Sequence, residues 1–251
     1  MNDSHPPQGA QAALRAVRLL KLFTSERPEM TLSELSHVSG LNKTTTHRLL
    51  RALKSESLVD RNAATGCYCL GVGLMALGVQ ALSSNDLRRR VRPLLMKLAH
   101  DSGETATLEV PVEEDMLILD EVAGRHVVAA TGHIGTRWPL HATSTGKAYM
   151  AFDEFGVGRL GKSLQSLTRK TLIRPESFQP QFADIRRRGY AETIDELEVG
   201  YTAVGTVIRS SLGNVLGALS IGGPTARMPA ARRAQLGAVL CQTVAGLDQR
   251  V

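Results

Sequence analysis

The residues Ser144-Thr145-Gly146-Lys147 carry the spacing S-x-x-K, in which a lysine one helical turn beyond a serine can activate it for acyl transfer. The companion signatures S-D-N and K-T-G occur nowhere in the chain. A phosphate-cradling loop would need Gly at 141 and Ser or Thr at 148, where His141 and Ala148 stand. What survives is a helix start rich in hydroxyls. Thr143, Ser144, Thr145 and their backbone amides can receive an anionic or polar ligand, assisted by Lys147. Simple capping by Thr143 is the competing reading, and both stay open. His141, beside Pro139 and Leu140, reads as a hydrogen-bonded structural residue. Asp195, Glu196 and Glu198 read as solvated or capping acids after a strand. A hydrolase built on Ser144, His141 and Asp195 is therefore an alternative without its supporting motifs. No catalytic residue and no cofactor is expected. Cys67, Cys69 and Cys241 lack a paired C-x-x-C, so no metal is expected and they read as packing residues.

A second constellation lies in "LNKTTTHRLLRAL", residues 41–53. Ser39 to Ser55 contains Lys43, Arg48, Arg51 and Lys54 and no acidic residue. Leu49, Leu50 and Leu53 mark the buried side of a helix, which turns Thr44, His47, Arg48 and Arg51 outward and Thr46 toward the core edge. Threonine is a mediocre helix former. At the leading end of a helix entering the major groove, however, short hydroxyls can bond to bases or phosphates where long apolar chains would clash. Lys43, Thr44, Thr45, His47, Arg48 and Arg51 are the expected DNA contacts.

These residues need elements to hold them. "AALRAVRLLKLFTSE" predicts a first helix with Leu14, Val17, Leu20 and Leu22 inward. "TLSELSHVSG" carries a capping box, Thr31 with Glu34, then Leu35 and Val38 inward and Gly40 at the stop. Asn42 caps the next helix, completing a helix-turn-helix. "SLVDRNAATGCYCLG" alternates around an "AATG" turn, a hairpin from Leu58 to Leu70 that brings Arg61 toward phosphates. "GVGLMALGVQALSS" predicts a linker helix. "DLRRRVRPLLMKLAHDSG" opens a second domain, with Arg88, Arg89, Arg90 and Arg92 as a solvated or interdomain basic face. Strands "ETATLEVP", "DMLILDEVA" and "HVVAAT", a helical middle, strands "YTAVGTVIRS" and "NVLGALSIGG", and a last helix predict an α+β unit with helices packed on an antiparallel sheet.

The chain has 251 residues, 43% apolar content and a formal charge of +6. Residues 1–84 hold nine basic against six acidic residues, and 85–251 hold twenty-one against eighteen, so the positive surplus is denser in the first piece. There is no run of eighteen apolar residues, the start "MNDSHPPQGAQ" lacks the features of a signal peptide, and the cysteines are few and odd in number. A cytoplasmic protein with no membrane partner is expected.

Taken in order, "LNKTTTHRLLRAL", the hairpin ending "CYCLG", "PLHATSTGKAYMA", "RRGYAETIDELEVGYTAVG" and "GALSIGGP" resemble the IclR family of bacterial transcriptional regulators, over about Ala12 to Gly246. The resemblance implies a winged helix-turn-helix over 10–72, a linker helix over 73–85, and a GAF-like effector-binding and oligomerisation domain over 86–251. It implies homodimers or homotetramers on palindromic double-stranded operator DNA, answering to a small-molecule effector, often an organic acid or aromatic catabolite. RNA polymerase is left open as a further partner, and a DNA-binding protein without an effector is the other alternative. Carried over by position, the effector pocket would comprise Val127, Ala130, Ser144, Thr145, Thr193, Ala203, Ser220 and Gly222. Thr193 stands where many members have an acid, Ala203 where many have Cys, and Arg209-Ser210 replace an aromatic and acidic pair. Losing a carboxylate in this way would ease the entry of an anion. In the DNA reader, Asn42 replaces a frequent Pro and Ser57 a frequent Gly.

Overall fold

A stripe of apolar residues at i, i+3, i+4 and i+7 sets the first helix, α1 (Gln11–Leu20). Leu19 is fully buried, and Phe23 belongs to the core of the first unit with Ala16, Leu20 and Leu22 packed against it. Val17, expected inward, is 51% exposed, because the stripe that meets α2 (Leu32–Ser39) and α3 (Lys43–Ser55) runs through 16, 19, 20 and 23 instead. The Thr31–Glu34 capping box forms as expected, and Gly40 ends α2 in the left-handed conformation. Leu35 is buried but Val38 is not. Asn42 caps α3 by accepting from the Thr45 amide at 2.8 Å.

The hairpin strands β2 (Val59–Arg61) and β3 (Tyr68–Leu70) are joined by a strand not expected from sequence, β1 (Glu29–Met30), in the order β1-β3-β2. A two-residue strand offers no alternation to read. α4 (Val72–Ser84) follows, and none of its residues is buried. The chain divides into two units, Met1–Ser84 and Asn85–Val251. The computed structural model describes residues 10–24, 26–125, 133–161 and 163–248.

The second unit is a six-stranded antiparallel sheet with helices on both faces. α5 (Asp86–Ser102), capped by Asn85 and closed by Gly103, leads into β4 (Thr105–Val112) and β5 (Asp115–Val122). β6 (Arg137–Pro139), α6 (Ser144–Phe152), α7 (Gln179–Arg188), β7 (Ala191–Ile194), β8 (Tyr201–Arg209), β9 (Val215–Pro224) and α8 (Ala230–Asp248) complete it, with strand order β6-β5-β4-β9-β8-β7. Pro175 opens a short 3-10 turn ahead of α7. The short strand β6 escaped the sequence reading for the same reason as β1, whereas β7 is the strand expected ahead of Asp195. The expected strand "HVVAAT" lies outside the described residues.

The period-2 alternation of the strands separates two cores. Ala106, Leu108, Val204, Leu219 and Ile221 meet α5 and α8 on one face. Met116, Ala191, Val207 and Ala218 meet α6 and α7 on the other. The register shifts at a bulge between Leu108 and Glu109, pairing Thr107 with Glu121 and Glu109 with Ile118. Ile118 and Glu121 therefore share the α6 face, while Asp120 is turned to α5.

That placement corrects the reading of Arg88 and Arg92 as part of a solvated face, while Arg89 and Arg90 are exposed as expected. Asp120 is 0% exposed, with Arg92 at 2.6 Å and Arg88 at 3.2 Å, and Arg92 also donates to the Glu121 carbonyl at 2.9 Å. Arg89 and Arg90 pair with Asp86 at 2.8 and 2.6 Å. Replacing one partner of a wholly buried pair costs roughly 3–5 kcal/mol. Both guanidinium groups here keep some solvent contact, so Asp120→Ala is expected to lower stability by a smaller amount, about 2 kcal/mol. Urea unfolding of the variant against wild type checks this, and a change within about 0.5 kcal/mol would show that the arginines are held by other contacts.

Candidate functional site

The outer face of α3 is assembled as its spacing requires. Leu50 and Leu53 enter the core of the first unit, and Thr46 is wholly buried, its hydroxyl donating to the Asn42 carbonyl at 3.0 Å. The third threonine is thus a packing residue. Lys43, Thr44, His47, Arg48 and Arg51 are exposed and Thr45 is half-buried at the helix start. Among the described residues none forms an ion pair with Lys43, Arg48 or Arg51, whereas Lys54 is matched to Asp60 at 3.0 Å. Arg61 is tied into the hairpin: its Nε donates to the Gly66 carbonyl at 2.9 Å, and the guanidinium lies 5.7 Å from the centre of the Tyr68 ring. An exposed cationic face without acidic partners is what a phosphate backbone can neutralise.

In the second unit a small cavity of about 30 Å³ lies where the start of α6 approaches the sheet. Ser144, Thr145, Thr193, Ala203 and Ser220 line it, five of the residues expected there. Gly222 does not line it but makes room for Tyr201, which does: a Cβ at that position would fall 1.9 Å from the Tyr201 hydroxyl. Val127 and Ala130 lie outside the described residues.

The lining that sequence reasoning missed is the more informative part. Thr105, Thr107 and Glu109 of β4 point into the cavity, as do Ile118 and Glu121 of β5, Trp138 and Tyr201. Glu109 is buried, accepting from Thr145 Oγ1 at 2.6 Å and Thr107 Oγ1 at 2.7 Å, with Ser220 Oγ at 3.5 Å. Burial pushes its pKa up despite those three hydroxyls. "ETATLEVP" announced a strand, and its alternation could have put Thr105, Thr107 and Glu109 on one face. Nothing local marked that face as the one opposite α6.

Thr143 caps α6, accepting from the Gly146 amide at 3.1 Å. The expected help from Lys147 is overturned. Its side chain is 1% exposed and turns away from the cavity to both carboxylate oxygens of Glu196, at 2.6 and 2.7 Å. Burial lowers the pKa of the lysine and raises that of the glutamate. The hydrolase alternative fails on the same geometry. His141 Nε2 lies 2.9 Å from the Gln165 carbonyl. Asp195 accepts from Lys170, Thr225 and the Gly200 amide, contacts that hold its pKa at about 2. None of these groups is bonded to Ser144. Among the described residues no group of three His, Cys, Asp or Glu side chains could hold a metal ion, and no helix is long and apolar enough to cross a membrane.

Residues 12–63 match the family model described as the IclR helix-turn-helix domain, and residues 79–249 that of the bacterial transcriptional regulator IclR C-terminal domain. The chain is 32% identical over 235 residues to the acetate operon repressor of Salmonella typhimurium, covering 92% of this chain and 86% of that protein. Two solved structures share the fold. The IclR transcriptional regulator of Alicyclobacillus acidocaldarius superposes with a TM-score of 0.83 at 24% identity, over 95% of this chain and 97% of its own. An IclR homolog from Microbacterium hydrocarbonoxydans, complexed with 4-hydroxybenzoate, superposes with a TM-score of 0.80 at 23% identity, over 96% and 100%.

The buried acid makes a testable pH signature. Because the folded state raises the Glu109 pKa above its ordinary 4.5, it holds the proton more tightly than the unfolded chain. Stability from this group is therefore greatest below 4.5 and is lost as pH rises through the folded value. Glu109→Gln removes the titration. In urea unfolding from acid to neutral pH, wild type is expected to lose stability relative to this variant as pH rises. A difference that stays constant with pH would show that Glu109 titrates as it does in the unfolded chain.

Proposed function

The chain belongs to the IclR family of bacterial transcriptional regulators, and on that premise we propose that its first unit reads operator DNA through α3 while its second holds a small-molecule effector at the start of α6. The observation carrying the first half is the exposed face of Lys43, His47, Arg48 and Arg51, left without acidic partners among the described residues. In a helix-turn-helix the leading residues of the second helix reach base edges. That places Lys43, Thr44 and Thr45 at the bases and the arginines on bases or phosphates. Arg61, fixed by Gly66 and Tyr68, presents its remaining donors to the backbone as part of a wing.

The effector half rests on the hydroxyl-lined cavity, which at about 30 Å³ must widen on binding to admit more than water, and the 4-hydroxybenzoate bound by the Microbacterium homolog supports a ligand in this fold. Arg92, bonded to both Asp120 and the carbonyl of Glu121, links the cavity wall to α5. A shift of Glu121 on ligand binding is passed to that helix.

The working form is a homodimer or homotetramer. α4 exposes Val72, Met75 and Val79 by 63–68%, residues on one side of the helix that form an apolar face a second copy would cover. Two-fold symmetry then matches a palindromic operator. The DNA partner places the protein in the bacterial cytoplasm, and at a promoter it meets RNA polymerase as a competitor or a contact.

Arg48→Ala is expected to weaken binding to the upstream DNA by about 5- to 150-fold, the cost of roughly 1–3 kcal/mol for a lost base contact, with an unchanged unfolding curve. Fluorescence anisotropy against a scrambled fragment across a salt series checks it, and unchanged affinity removes this face from the interface. The double variant Ser144→Leu with Thr145→Leu is expected to retain DNA affinity and lose release or recruitment by metabolites. If the variant still responds, the effector lies elsewhere. If wild type binds both DNA fragments equally and ignores metabolites, the effector-independent reading replaces this one.

A further inference from the structure

The charge of the cavity gives the chemical class of what enters it. Its described lining contains the carboxylic acids Glu109 and Glu121 and no Lys, Arg or His. One donor of the helix start that sequence alone offered to an anion is already engaged: the Thr145 hydroxyl donates to Glu109, as does Thr107 on the same strand as the acid, so an incoming carboxylate loses both. Glu121 is less satisfied. Its Oε2 is buried with no hydrogen-bond partner among the described residues, and such an oxygen is left costly until a donor reaches it.

The nearby cations do not relieve this. Arg88 and Arg92 are committed to Asp120 on the opposite face of the sheet, and Lys147 is committed to Glu196. His133 acts on Glu121 electrostatically without lining the cavity, and burial together with Asp120 and Glu109 outweighs it, raising the Glu121 pKa. The Tyr201 hydroxyl is likewise pushed upward by burial and by Glu109, Glu121, Glu104 and Glu198, a field that repels negative charge. Trp138, Ile118, Leu197 and the Tyr201 ring supply apolar contact around these oxygens. A hydroxyl or ammonium donor beside a short carbon frame meets both requirements.

We propose that the effector is an uncharged or cationic hydrogen-bond donor, a small polyol or amine, and that Glu109 and Glu121 exclude organic carboxylates. This rests on the reading of the cavity as the effector site. It replaces the organic acid implied by family resemblance, because the acid missing at Thr193 is supplied from β4 and β5.

Two matched series test it: glycerate, glycerol and 3-amino-1,2-propanediol, then 4-hydroxybenzoate, 4-hydroxybenzamide and 4-hydroxybenzylamine. Each series holds its frame and varies the charge. Saturation-transfer NMR on the full-length protein at neutral pH is expected to show the neutral or cationic member of a series bound at least about tenfold more tightly than its carboxylate. In the double variant Glu109→Gln with Glu121→Gln that preference is expected to fall below about threefold. A carboxylate that binds wild type as well as its partners overturns the proposal, as does failure of all six to bind. The Ser144→Leu, Thr145→Leu variant separates the two levels. Binding that survives it lies outside the cavity and defeats the effector-site reading. Binding that it abolishes, but that favours the carboxylate, defeats the charge assignment alone.

Discussion

Every residue from Ser144 to Ala151 of α6 is buried, so the helix start must satisfy its hydroxyls and orphan amides without bulk water. Much of the second unit follows from that constraint. Thr143 supplies the cap and Glu109 accepts from Thr145. Lys147, one turn further along and equally enclosed, needs Glu196 from beyond β7. The approach is close enough that a side chain on the sheet would obstruct it. A Cβ at Gly205 would lie 2.8 Å from both Ser144 Oγ and the Thr145 amide. The glycine is thus part of how a polar helix end comes to rest against a strand.

The bulge between Leu108 and Glu109 does comparable service at the other wall. With strict alternation, Ile118 and Asp120 would share a face, and a fully buried aspartate would point toward Glu109. The extra residue reverses the order beyond it, so that Glu121 comes to the cavity and Asp120 to the arginines of α5. Glu121 thereby joins Glu109 at the cavity while Asp120 is left to the arginines, at the cost of one unpaired position. The cavity and the first turns of α5 consequently share consecutive residues of β5.

What could be read in advance was what short-range chemistry dictates. The capping box at Thr31, the caps at Asn42 and Thr143, the stops at Gly40 and Gly103, and the outward set of α3 all depend on residues within a few positions of one another. Partners far apart in sequence were not legible. Glu109 is separated from Thr145 by 36 residues, Glu196 from Lys147 by 49 and Asp120 from Arg92 by 28. In each case the type of residue was visible and its allegiance was not. Lys147 was the most misleading, since a lysine at the start of a helix resembles a ligand contact until its counter-ion is located. The inward face of α1 failed for a milder reason: Val17 and Leu19 are both apolar, and only packing against α2 and α3 chooses between them.

The run of threonines in α3 shows how one residue type is divided by position. Thr44 faces solvent at the leading end of the helix and Thr45 stands beside it, where a short side chain leaves room for a groove wall. Thr46 turns inward, its hydroxyl satisfied by the Asn42 carbonyl within the same turn, so no polar atom is stranded in the core. A leucine at 46 would suit burial but demand more volume beside Leu50. An alanine would fit and leave a gap. The β-branched residue fills the space at a modest helical penalty. The same side chain at 44 serves the exposed surface, and the cap at Asn42 offsets part of the low propensity of the run. The helix therefore tolerates poor formers at its start because capping and the leucine face hold it, which leaves the outer positions free for residues suited to DNA.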